Sequence, residues 1–132
     1  MEDRYLFRAK RIDNGEWVVG DLSHHKTGRV FVKPLNGSAI STCEVDKDTI
    51  CQCTGLKDKN GKLIWENDIM VAHLDDNYPE DKTYIRILWD RGRICSIETG
   101  SEDIIPISKF ERDHFEVCGN IFDNAELLES EG

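Results

Sequence analysis

Long apolar runs are missing from this sequence: no stretch approaches the ~18 consecutive apolar residues that cross a bilayer as a helix. The opening MEDRYLFRAKRIDNGEW likewise lacks the apolar run of about 7 to 15 residues that marks an export signal. A cytoplasmic protein with no membrane partner is the expectation. Alanine is scarce, four residues against thirteen isoleucines, a balance that favours strands over helices. A basic excess is also absent. The 17 Lys/Arg and 26 Asp/Glu leave a net charge of -9, opposite in sign to most surfaces that grip nucleic acid phosphates. Neither G-x-x-x-x-G-K-[ST] nor G-x-G-x-x-G occurs, so nucleotide hydrolysis and dinucleotide binding have no support. The five cysteines, at 43, 51, 53, 95 and 118, are odd in number and show no disulfide framework, which suits reduced thiols.

What is present is enough apolar content to fold. Ile, Val, Leu and Phe make up 34 of the 132 residues, a length that fits one domain or two small lobes. Tyr5, Phe7 and Ala9 alternate with Arg4, Leu6, Arg8 and Lys10, the two-residue period of a half-buried strand. Asp13-Asn14-Gly15 closes that strand and Trp17-Val18-Val19 opens its partner. Further strands are expected over Arg29–Lys33, Thr49–Thr54, Leu63–Trp65, Asp68–His73, Tyr84–Trp89, Arg93–Glu98 and Phe115–Phe122. Asn60-Gly61 is the strongest hairpin turn, because both residues tolerate positive φ. Residues Ala39–Lys47 are undecided, Leu74–Lys82 reads as an exposed loop, and Pro106 makes Ile104–Ile107 an edge strand or a connector. Asp123, three residues before Glu126, has the spacing of a capping box for a short C-terminal helical turn. The fold expected is mainly β, a small antiparallel barrel or sandwich built from hairpins. It forms a single domain over 1–132, with an N-terminal β lobe (about 1–46) packed on a C-terminal barrel (about 47–128).

Two stretches carry a family resemblance. QCTGLKDKNGKLIWENDIM, from Gln52 to Met70, resembles the signature Q-x-T-G-L-x-D-x-x-G-x-x-I-[YFW]-E-G-D-I of the YopX-like family of bacteriophages and prophages. FEVCGNIFDNAELL, from Phe115 to Leu128, is similar to its closing segment F-E-V-I-G-N-I-Y-E-N-P-E-L-L, and YLFRAKRIDNGEWVVGDL to its aromatic-Arg-Ala start. Asn67 stands where the family prefers Gly, Ala125 where it often has Pro, and Cys53 and Cys118 where aromatic or aliphatic residues are usual. The resemblance implies a phage-derived, β-rich cytoplasmic protein that self-associates. It names no substrate and no cofactor.

The residues of those motifs suit structure better than chemistry. Thr54-Gly55 ends a strand, Asp58, Asn60 and Gly61 fold a hairpin, Glu66, Asn67 and Asp68 reset the chain for the next strand, and Gly119 and Asn120 recur in the closing segment. Asn67 is suited to the left-handed conformation, and Asp68 to accepting bonds from turn amides. The chemical alternative pairs Glu66 with Asp68 on one strand face, but no third group is evident to complete an acid–base or metal site. Cys51 and Cys53 would bind zinc only if His24, His25 or Cys118 converged on them, and as small apolar residues they suit the core. Arg4, Tyr5, Phe7, Arg8, Lys10 and Arg11 interleave cations and rings as a nucleic-acid face does, while the net charge opposes that use. Charge is also uneven along the chain: residues 98 to 132 hold ten Asp/Glu and two Lys/Arg, a surface for a basic protein or simply a solubilising face. With no catalytic, metal or cofactor constellation, the expectation is a non-enzymatic protein that binds copies of itself and a host or phage protein. A nucleic-acid-binding barrel is the alternative.

Overall fold

The computed structural model describes residues 6–34, 42–73 and 82–128. Among them the chain is mainly β, with eleven strands in two antiparallel sheets and one short α-helix, and neither sheet is a closed barrel. Arg4 and Tyr5, residues 39–41 of the undecided segment, and residues 74–81 of the loop expected over Leu74–Lys82 lie outside the described residues. The chain divides into two compact units, Met1–Gly55 and Leu56–Gly132.

The first unit contains β1 (Phe7–Lys10), β2 (Trp17–His24), β3 (Val30–Pro34) and β4 (Cys43–Val45). A 3-10 turn at Lys47–Thr49 then leads into β5 (Cys51–Lys57). The antiparallel order is β4-β3-β2-β1-β5, and the sheet's sixth strand, β6 (Leu63–Trp65), follows β5. Period-two alternation puts Ala9, Val30, Val32 and Val45 in one core, with Val18, Leu22 and Ile50 against them. Val45 bridges Arg11, Asp46 N–H donates to Lys10 O at 2.8 Å, and Ile12 N–H donates to Glu44 O at 3.1 Å, so β4 meets the end of β1 without completing a barrel. The undecided segment thus holds β4 and the start of a turn capped by Asp46, whose carboxylate accepts from Asp48 N–H. Gly20 is buried where β2 pairs with Pro34, and a methyl group there would fall 2.7 Å from the Lys33 carbonyl carbon.

The second unit contains β6 (Leu63–Trp65), β7 (Asp68–Ala72), β8 (Thr83–Asp90) and β9 (Arg93–Glu98). These are followed by β10 (Ile104–Pro106), α1 (Lys109–His114), β11 (Glu116–Asn120) and a 3-10 turn at Ala125–Leu128. Its five-stranded sheet has the open order β10-β9-β8-β7-β11, so β10 and β11 are edges, as Pro106 requires of its strand. Ile64, Met70, Ala72, Ile85, Ile87 and Phe115 form the core, with Leu56, Ile94, Ile107 and Val117 packed on it. The 3-10 turn is the expected C-terminal helical turn, but the capping box belongs to α1. Ser108 Oγ accepts from Glu111 N–H at 3.2 Å, and Glu111 Oε1 accepts from Ser108 N–H at 3.1 Å. The Asp123 carboxylate instead accepts from Asn120 Nδ2 at 3.2 Å. Two further expectations need correction. β5 does not stop at Thr54-Gly55 but runs on to Lys57, with Gly55 inside it at φ 78°. Glu66 lies in the turn before β7, so Glu66 and Asp68 do not share a strand.

Candidate functional site

The signature side chains of the second unit converge on backbone. Asp58 is buried, and Oδ1 accepts from the amides of Asn60 and Lys62, both at 2.9 Å, closing the hairpin turn. Its other oxygen accepts from Val117 N–H at 2.8 Å, which ties that turn to β11. Lys59 N–H donates to Phe115 O at 3.2 Å, and Asn60 Nδ2 to Glu116 Oε2 at 2.9 Å. Gly61 takes φ 81°, which a side chain would strain. The two sequence stretches that carry the motifs are therefore clamped together.

The next turn repeats the device. Asp68, 1 % exposed, accepts from Trp65 N–H at 2.7 Å across the turn. Asn67 sits at φ 70°, donates its amide to Ile87 O at 2.7 Å and accepts from Ile121 N–H at 3.0 Å. Asn67 Oδ1 also accepts from Arg86 Nη2 at 3.0 Å. Beyond the bulge between Val117 and Gly119, Asn120 pairs with Asp68 in the ladder, and its side-chain oxygen accepts from the amides of Phe122 and Asp123, each at 2.9 Å. A Cβ on Gly119 would lie 2.6 Å from Asn124 Cγ. These contacts anchor turns, and the carboxylates within them serve as acceptors for backbone amides.

The basic and aromatic residues of β1 come together in the first unit. The Arg8 guanidinium lies 4.8 Å, and Lys10 Nζ 5.4 Å, from the centre of the Trp17 ring, which therefore already carries cations. Arg11 is turned away to Asp13 by a two-pronged pair at 3.0 and 2.7 Å; that hydrogen bond raises the guanidinium pKa and lowers the carboxyl's below its ordinary value. Phe7 lies on the other face of the strand with the buried Ala9. Cys51 and Cys53 are fully buried, and Cys51 Sγ donates to Thr49 O, while His24 and His25 are exposed and His25 contacts Thr27. Among the described residues no group of three or more His, Cys, Asp or Glu is placed to hold a metal ion. Desolvation, followed by the charge of Glu116, pushes the Cys118 thiol up, away from the thiolate form that reacts.

The second unit also has a concave surface that the motif reading did not single out. A cavity of about 330 Å³ opens between α1 and the sheet, walled by Ile85, Ile105, Phe110 and Phe115. Ser96 Oγ donates to Glu111 Oε2 at 2.6 Å on its lining, and Glu98 and Asp103 flank it. Glu111 thus caps α1 with one oxygen and fixes the helix to β9 with the other. The spacing Ser108-x-x-Glu111 was the available sequence signal for this helix.

A profile of the YopX protein family matches residues 6–129. The chain belongs to the YopX family. No curated protein matches it. It is similar to the crystal structure of protein EF1440 from Enterococcus faecalis, with 28 % identity and a TM-score of 0.59 over 93 % of this chain and 96 % of that one. In this YopX chain, Asn67 is the departure from the family signature with a measurable consequence. Asn67→Gly removes the strain of positive φ and the bond from Arg86, two terms of about 1 kcal/mol and opposite sign, so its stability should stay within about 1 kcal/mol of the unaltered protein. Asn67→Ala keeps the strain and loses the bond, and urea unfolding should show a loss of about 1–2 kcal/mol.

Proposed function

We propose that this YopX chain is a cytoplasmic accessory protein of phage or prophage origin that works by binding protein, including copies of itself, and catalyses no reaction. The resemblance of its signature stretches supports the origin. An odd number of cysteines with no disulfide framework in their spacing supports the compartment. The non-catalytic reading draws on Asp58 and Asp68, whose oxygens accept from backbone amides.

The observation that carries protein binding is apolar surface left in water on the second unit. Ile105 on the edge strand β10 and Phe110 on α1 are 51 % and 54 % exposed and wall the same cavity, while Ile104, 43 % exposed, lies on the other face of β10. A unit that buries Ile64, Ile69 and Ile87 completely gains stability by covering these as well, and interfaces favour such aromatic and aliphatic anchors. Sedimentation equilibrium over rising concentration tests self-association against the chain mass of 15.2 kDa. A mass of twice that value or more is expected. A monomer at high micromolar concentration would contradict it.

A further inference from the structure

We infer that the cavity beside α1 is the centre of a twofold contact between two copies of this chain, in which Lys109 of each copy meets the acidic rim of the other. The inference deepens the self-association proposed above and rests on it.

Three observations carry it. The apolar part is continuous: Ile105 and Phe110 are both exposed and both wall the cavity, so the surface left in water and the concave surface are one place. The charged part contains both signs. Glu98 and Asp103 flank the cavity, Glu111 on its lining is engaged by Ser96 and Ser108, and no Lys or Arg is among the lining residues. The neighbouring cation is Lys109, next to Phe110 on α1 and 83 % exposed, whose contact with Asp113 at 3.0 Å is a surface pair that water and salt weaken. A twofold contact requires one patch to complement itself, residue for residue in both directions. An apolar centre with Glu98 and Asp103 on its lining, and an exposed, loosely held lysine at the residue before Phe110, brings both signs to one patch, as that requirement demands.

The choice of a second copy over a foreign strand follows from the edge itself. β10 spans three residues, and its last, Pro106, has no N–H to offer an incoming strand. Side chains, then, and not ladder bonds, make the contact. The first 55 residues hold eight Lys/Arg and eight Asp/Glu, so the net charge of -9 lies in the remaining residues that carry this surface; two copies repel there, and each lysine brought to an acidic rim relieves part of that repulsion.

The experiment compares dimer dissociation by sedimentation of full-length variants, with circular dichroism confirming that each is folded. Ile105→Lys and Asp103→Lys should each raise the dissociation constant by roughly tenfold or more. Adding Lys109→Glu to Asp103→Lys should restore most of the lost affinity, because the swapped charges meet across the twofold axis. If the unaltered protein dimerises but Ile105→Lys does so equally well, or the second reversal restores nothing, this surface is wrong and self-association stands. If the unaltered protein is monomeric, both proposals fall.

Discussion

Replacing Asp58 by alanine is expected to remove about 3 kcal/mol or more of stability from the second unit. The carboxylate satisfies three backbone amides, those of Asn60, Lys62 and Val117, at 2.8–2.9 Å. Each buried donor left without its acceptor costs about 1–3 kcal/mol, and bonds to a charged acceptor lie in the upper part of the usual range. Asn60 and Lys62 are at the surface and recover part of the loss from water, so the sum falls near the lower end. Asp58→Asn keeps one acceptor oxygen and presents a carboxamide NH2, a donor, to the remaining backbone N–H, which predicts a loss smaller than that of Asp58→Ala. Urea midpoints with an unchanged slope provide the measurement. The loss should appear in β11 as well as in the hairpin, because Val117 is 59 residues from Asp58 in sequence and is held to it directly.

Gly20→Ala should have an effect of similar size in the first unit. The new Cβ would press into the Lys33 carbonyl, with its carbon 2.7 Å away, and the obstruction is backbone on both sides. A flexible side chain could swing aside, but paired strands cannot without breaking the register Gly20↔Pro34 and Asp21↔Lys33. Overpacking of this kind costs about 3 kcal/mol at its severe end. Residue-resolved amide exchange under native conditions is the suitable readout, since it distinguishes the two units. Faster exchange across β2 and β3, with β7–β9 unchanged, is the expected pattern.

Much of this architecture was legible because it rests on local rules. The alternation of Phe7 to Lys10 follows a two-residue period, the Asn60-Gly61 turn a positive-φ requirement, and Asp68–His73 a short apolar run of the kind that makes a core strand, each revealed by a few adjacent letters. Asp58, Gly61 and Asn67 were also legible as turn residues, and Asn67 at φ 70° occupies the conformation expected of it, whereas Thr54 and Gly55 continue β5. The long-range clamp was not. Nothing near Asp58 in sequence indicates Val117 as its partner, and side-chain bonds across tens of residues leave no period to detect.

The helix α1 escaped for a different reason. Six residues are too few to display a 3.6-residue repeat, and Pro106 suggested extended chain just before it. Only the Ser108–Glu111 capping box marked its start. The cavity beside it depends on that helix and was invisible for the same reason. Glu66 and Asp68 looked alike as a spaced acid pair, but the turn between β6 and β7 separates them, with Asp68 buried on Trp65 N–H and Glu66 left in the turn.

The central claim is that the YopX signature carboxylates of this chain act as acceptors for its own backbone. Hydrogen exchange at the amides of Lys62, Trp65 and Val117 in the unaltered protein tests it most directly. Slow exchange at all three, lost selectively at Lys62 and Val117 in Asp58→Ala and at Trp65 in Asp68→Ala, is the predicted result. Exchange at rates near those of an unstructured peptide, with both variants as stable as the parent, would contradict it.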